Sequence, residues 1–289
     1  LYEAMAIYSA NAATIAIAET IAGTESEFVN MMNKKAEELG LVDYKFVNST
    51  GLSNADLQGM HPQGTEEKDE NVMPAKSVAK LAFQLMKDYP EVLETTSIPS
   101  KIFREGTTDA IKMDNWNFML PELVYAYKGA KVDGLKTGTT DFAGHCFTGT
   151  AEKDGLRVIA VVMKAVDSEG VGSYKARFDA TAALFNYGFA QFKKEEIVPG
   201  GYEFKEQKDI DVIKGKEDKV GITVKEPIEM VIKSSEKELY TPKLVLDEKK
   251  VKDGSVEAAI KKDEVVGHVE LVKSEGTDYG YINGTKKSA

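Results

Sequence analysis

The stretch CFTGTAEKDGLRVIAVVMKA, residues 146–165, decides the fold class. Lys153-Asp154-Gly155 separates two apolar runs, and an Asp-Gly pair there supplies the positive φ angles of a tight turn. Residues 146–151 and 156–165 are therefore predicted to form a β-hairpin. The second strand is almost continuously apolar from 157 to 165, which predicts a central strand covered on both faces. Upstream, DGLKTGTT at 133–140 opens the strand run, and weaker strand signals lie at 101–103 and 111–113.

Helical patterns surround this sheet. Residues 1–23 are apolar but interrupted by Glu3, Ser9, Asn11 and Glu19, the pattern of a buried helix broken near its middle. Thr24-Glu25-Ser26-Glu27 is a capping box ahead of Phe28, Met31, Met32, Ala36 and Leu39, with Gly40 where a helix should stop. A further helix is predicted from Ser77 to Lys87, closed by Pro90. Residues 48–71 form a long polar loop, a feature that in compact domains tends to be functional or mobile. From Tyr174 to Phe192 an aromatic stripe (Phe178, Phe185, Phe189, Phe192) at helical spacing predicts core packing.

After Val198-Pro199-Gly200-Gly201 the texture changes. Short β-rich runs at 220–224, 228–232, 244–246, 256–260 and 265–272 alternate with charged turns, the pattern of a small all-β domain. The expected architecture is thus an α/β domain over 1–196, an antiparallel sheet flanked by helices, followed by a small β-sandwich over 197–289. The tail from 281 to 289 reads as polar and frayed.

Composition excludes several function classes. Of 289 residues, 42% are hydrophobic and 29% charged, ordinary globular usage that leaves no room for a disordered or disulfide-framed chain. A net charge of -10, carried mainly by the first domain, argues against nucleic acid as a partner, since that binding needs a basic face. The single cysteine, Cys146, cannot form an intrachain bridge, and three scattered histidines lack metal-ligand spacing, so no metal site is expected.

Two short motifs carry chemistry: Ser9-Ala10-Asn11 at the helix break and Lys136-Thr137-Gly138 inside the first strand of the sheet. Alone, the first reads as a helix cap and the second as a turn. Together and in this order they are two of the three signatures of the active-site serine penicillin-recognising enzymes. The chain resembles the low-molecular-mass penicillin-binding proteins, the D-alanyl-D-alanine carboxypeptidases with a C-terminal β-domain. The likeness extends through Asn48-Ser49-Thr50-Gly51-Leu52, residues 74–81, 132–143 and 174–189.

That resemblance implies a transpeptidase/β-lactamase-like first domain, no cofactor and a set of roles. Ser9 would relay a proton to the leaving amine, and Asn11 would hold the substrate backbone or orient the general base. Lys136 would place a positive charge beside Ser9 and the substrate. Thr137 and Thr139 would bond the terminal carboxylate, Gly138 would let the substrate lie close to the strand, and the Thr139 backbone amide would serve the oxyanion. Arg177 is the candidate carboxylate-binding arginine, although an arginine there can equally pair with Asp179 or Asp141.

In the family a Ser-x-x-Lys precedes Ser-x-Asn by several tens of residues, whereas eight residues precede Ser9 here. The expectation is that the nucleophile lies outside this chain and that the chain alone is inactive. Two accidental matches, Ser77-Val78-Ala79-Lys80 and Ser234-Ser235-Glu236-Lys237, are set aside, one in an ordinary helix and one on the wrong side of Lys-Thr-Gly. The resemblance further implies a peptidoglycan stem peptide ending in D-Ala-D-Ala as substrate, β-lactams as inhibitors and an extracytoplasmic location. The membrane would be reached only through an anchor absent from this chain. Two other readings stay open: a serine β-lactamase, for which Glu67 and Asn71 reproduce a Glu-x-x-x-Asn spacing, and a non-catalytic wall-binding or regulatory module.

Overall fold

The computed structural model describes residues 1–276, 280 and 282, so the expected frayed tail lies almost wholly outside the described residues. The chain divides into two compact units, Leu1–Phe189 and Ala190–Ala289.

In the first unit the apolar N-terminal stretch is broken as its polar residues predict. Helix α1 (Tyr2–Ala6) ends before Ser9, and α2 (Asn11–Ala22) begins after it. Between them the Ala10 amide donates to Ala4 O at 3.0 Å, and Ser9 holds a left-handed backbone with φ 59°. Helix α3 (Glu25–Glu38) carries its predicted cap: Thr24 accepts from the Glu27 amide at 3.1 Å. The loop at 48–71 is not loose. Asn48 and Asn54 are fully buried, Asn48 accepts from the Gly51 amide and donates to Asn54 Oδ1, and Asn71 Oδ1 accepts from the Val47 amide at 2.7 Å. Buried side-chain amides replace the ladder that regular structure would provide.

Helices α4 (Ala75–Asp88) and α5 (Val92–Thr96) follow, the latter without a sequence signal. A small hairpin, β1 (Ser100–Phe103) and β2 (Ile111–Asp114), precedes the main sheet of β3 (Lys131–Thr140), β4 (Gly144–Lys153) and β5 (Leu156–Val162), antiparallel in that order. The hairpin at Asp154-Gly155 is present, both residues having positive φ. One expectation needs correcting: the apolar strand is not central. Among the described residues β4 is the middle strand, and β5 pairs only with β4. Its continuous apolar character has another cause, because helices cover both of its faces. Ile159 packs with Ala82 and Met86 of α4, while Val158 and Ala160 join the core beneath α6 (Tyr174–Gln191). Gly188 of α6 allows that approach, since a Cβ there would meet the Val158 methyls at 3.1 Å. The aromatic stripe of α6 is core: Phe178 and Phe185 are buried with Phe147, Met119 and Leu120.

The second unit is β-rich, as its texture predicts, and is interrupted by a 3-10 turn at Ser234–Leu239. Strand β6 (Phe192–Val198) pairs with β9 (Ile228–Lys233); β7 (Asp209–Ile213) lies between β8 (Lys219–Gly221) and β11 (Ser255–Glu257); β10 (Tyr240–Leu246) pairs with β12 (Gly267–Lys273). Two buried clusters hold it, one around Val198, Phe204 and Val269 and one around Ile210, Ile222 and Val256. No helix among the described residues is long and apolar enough to cross a membrane.

Candidate active site

Strand β3 forms one edge of the main sheet, and the Lys-Thr-Gly motif lies on it. The strand is pinned at its start. Asp133 is buried and accepts from Arg157 at 2.8 and 3.0 Å, the Asp133 carbonyl accepts from Thr96 Oγ1 at 2.7 Å, and the register shifts there between Val132 and Gly134. Beyond this anchor β3 runs on to present Lys136, Thr137, Gly138 and Thr139.

Lys136 Nζ donates to Ser9 Oγ at 2.7 Å and to the Thr137 carbonyl at 2.8 Å. Two residues 127 positions apart thus meet at one point. Lys136 is an exposed residue, yet surrounding protein desolvates its ammonium and the Arg177 guanidinium repels it. Together they lower its pKa from 10.5 to about 8. Because an ammonium only donates, Ser9 Oγ must accept, which leaves the Ser9 proton available to another acceptor. Asn11 is the first residue of α2, two residues from Ser9; it is exposed, and its amide makes no hydrogen bond among the described residues.

Arg177 is 1% exposed, on the face of α6 that meets the sheet. Its Nη1 donates to Gly138 O at 3.2 Å, Thr139 Oγ1 at 3.1 Å and Cys146 O at 3.3 Å, and its guanidinium lies 4.9 Å from the Tyr174 ring centroid. It does not pair with Asp179, which binds Lys175 at 2.5 Å. Burial lowers the Arg177 pKa, and no carboxylate among the described residues pairs with it. Its Nε is buried without a partner among the described residues. Thr139 Oγ1 accepts from Arg177, which leaves the Thr139 hydroxyl proton to be donated to another acceptor. A Cβ on Gly138 would meet nothing within 4 Å, so no group among the described residues requires a glycine there.

Sequence reasoning missed the aromatic side of this site. His145 stands opposite Thr139 in the strand register, its Nδ1 3.5 Å from Thr139 Oγ1 and its ring 5.0 Å from Tyr174. Trp116 stacks on Tyr174 at 6.4 Å and donates from Nε1 to the Tyr8 carbonyl at 3.1 Å. Only long-range contacts reveal these roles, since none of the three side chains belongs to a recognisable motif.

Neither accidental Ser-x-x-Lys match is hydrogen-bonded to these groups among the described residues. Ser77 is buried in α4, donating to Val42 O at 2.9 Å and accepting from the Val42 amide at 3.2 Å. Ser234 begins the 3-10 turn of the second unit. Of the β-lactamase-like pair, Glu67 is exposed, and Asn71 is committed to the backbone of Val47 and Asn48.

A serine hydroxyl joined to an ammonium at a strand edge, beside a buried guanidinium, is an arrangement that can pass a proton and hold an anion. Comparison with known proteins makes the assignment specific. The family described as D-alanyl-D-alanine carboxypeptidase matches residues 1–167, and the family described as the C-terminal domain of penicillin-binding protein 5 matches residues 192–287. The chain belongs to the D-alanyl-D-alanine carboxypeptidase family. It is 33% identical over 273 residues to the D-alanyl-D-alanine carboxypeptidase DacF of Bacillus subtilis, covering 94% of this chain and 61% of that protein. Among solved structures, a peptidoglycan synthesis regulatory factor (PBP3) from Streptococcus pneumoniae aligns with TM-score 0.77 at 35% identity, over 99% of this chain and 73% of that one. Penicillin-binding protein D2 from Listeria monocytogenes, in its cefotaxime-bound form, aligns with TM-score 0.51 at 33% identity, over 65% of this chain and 64% of that one. The chain spans about three fifths of the length of its Bacillus relative.

Proposed function

We propose that this chain carries the Ser-x-Asn and Lys-Thr-Gly half of a serine-type D-alanyl-D-alanine carboxypeptidase site. The substrate is a peptidoglycan stem peptide ending in D-Ala-D-Ala, met outside the cytoplasm, and β-lactams inhibit as its mimics. The observation that carries the reading is the 2.7 Å bond from Lys136 Nζ to Ser9 Oγ. The acylating serine belongs to a Ser-x-x-Lys segment outside these residues, a reading supported by the burial of Ser77 and by the place of Ser234 in the other unit.

The reaction runs in two halves. The nucleophilic serine adds to the penultimate carbonyl as its own proton passes to the Ser-x-x-Lys amine. The C–N bond then breaks as the Ser9 hydroxyl proton moves to the departing D-Ala amine, and Ser9 is reprotonated from a neighbouring ammonium. Thr137 and Thr139 donate to the terminal carboxylate, and the buried Arg177 charge stabilises that anion from beneath the strand. Water completes the second half, releasing the shortened peptide. The open space at Gly138 supports close approach of the substrate backbone to the strand.

The test joins the chain to a Ser-x-x-Lys segment from a family member and measures D-Ala release from an acylated D-Ala-D-Ala peptide. Release that disappears with Ser9→Ala or Lys136→Ala supports the reading. A covalent fluorescent-penicillin adduct on Ser77 of the 289-residue chain contradicts it.

A further inference from the structure

The turn that presents Ser9 is under strain. A non-glycine residue in the left-handed region is disfavoured by contact of its Cβ with the backbone and persists only where neighbours hold it. Ser9 has φ 59°, and α1, which precedes it, spans only five residues. Within the turn the Ala10 amide donates to Ala4 O, which fixes the residue after Ser9. The residue before it is fixed from elsewhere: Trp116 Nε1 donates to the Tyr8 carbonyl at 3.1 Å across 108 positions of sequence.

Trp116 is itself held by the other half of the site. Its ring stacks on Tyr174 at 6.4 Å and 26°, and Tyr174 takes the Arg177 guanidinium at 4.9 Å and the His145 ring edge at 5.0 Å. Arg177 in turn holds Gly138 O and Thr139 Oγ1. One continuous set of contacts therefore runs from the carboxylate end of β3 through Tyr174 and Trp116 to the backbone next to Ser9. Trp116 is 38% exposed, so it contributes little as a core residue.

We propose that Trp116 is a positioning residue: by donating its indole N–H to Tyr8 O, it fixes the Ser9 hydroxyl at hydrogen-bond distance from Lys136 and so controls proton delivery to the leaving amine. The inference rests on the carboxypeptidase reading for its effect on rate, but its geometric part stands independently. Losing the bond leaves the aromatic stack in place and lets the Ser9 turn relax away from Lys136.

The decisive variant is Trp116→Phe, which keeps a ring for Tyr174 and removes only the donor. In the chain joined to a Ser-x-x-Lys segment, the expected result on an amide D-Ala-D-Ala substrate is a kcat lower by about tenfold, the size of one lost positioning hydrogen bond, with KM within about twofold. A thioester analogue, whose thiolate departs without a proton, is expected to react within about twofold of the parent rate. Equal losses on amide and thioester, or no loss on either, overturn the proposal, because general loosening of the site slows both alike. Should the joined protein release no D-Ala at all, the functional reading fails, and the geometric claim is decided on the 289-residue chain. A crystal structure of its W116F variant is expected to show Ser9 Oγ beyond hydrogen-bond reach of Lys136 Nζ; the same contact and the same positive φ at Ser9 refute the inference.

Discussion

Lys136 bears a charge that its surroundings disfavour, and two consequences follow. Desolvation and the neighbouring Arg177 lower its pKa to about 8, so its positive charge is present below that pH and lost above it. D-Ala release is therefore expected to fall as pH rises through about 8, and Lys136→Arg, whose guanidinium keeps its charge, is expected to lack that limb in a pH-rate profile even at a lower rate. The unfolded chain binds more protons than the folded one between about 8 and 10.5, so this residue's contribution to stability rises with pH across that window. Lys136→Met is accordingly expected to raise Tm at neutral pH while abolishing activity, a trade that thermal melts and turnover measured together will reveal. Ser9, Lys136 and Thr139 stand in or beside short motifs of the sequence, whereas Arg177 is singled out only by the family resemblance. Trp116, Tyr174 and His145 are not legible in the sequence, because their roles arise from ring contacts and one indole bond between segments that the sequence does not relate.

Strand β3 shows how one element can hold glycines for opposite reasons. At Gly134 a Cβ would meet Thr96 Oγ1 at 2.9 Å and two methyl groups at 3.2 Å, whereas at Gly138 it would meet nothing. Gly134→Ala is expected to destabilise the fold by about 1–3 kcal/mol through overpacking. Gly138→Val is expected to leave Tm nearly unchanged and to raise KM for the peptide, read by denaturation and steady-state kinetics side by side. Helix α4 offers a control. Ser77→Ala removes two hydrogen bonds to Val42 and is expected to cost about 1–3 kcal/mol with unchanged turnover per folded molecule, as befits a structural serine. Hairpin, caps and helices were readable locally, since Asp154-Gly155, Thr24 and the α6 stripe act over a few residues. The place of β5 in the sheet was not, because apolar residues on both faces report helices above and below a strand and say nothing about its lateral neighbours.

At the level of the whole molecule each unit has its own buried clusters, so a core lesion is expected to stay local. Ile210→Ala in the second unit should cost about 2–5 kcal/mol there and leave amide-exchange protection of α6 in the first unit unchanged. The change of texture after 198 was visible because short apolar runs broken by charged turns suit only small strands. Convergence of Ser9 with Lys136 was not readable from spacing; it follows from the path of α1, α2 and β3 around the sheet. A double-mutant cycle on D-Ala release tests that convergence most directly, using Ser9→Ala, Lys136→Ala and the pair in the chain joined to a Ser-x-x-Lys segment. If the two groups act as one proton-delivery unit, the double variant will be no slower than the slower single variant. Losses that simply multiply would show two independent residues and contradict the account.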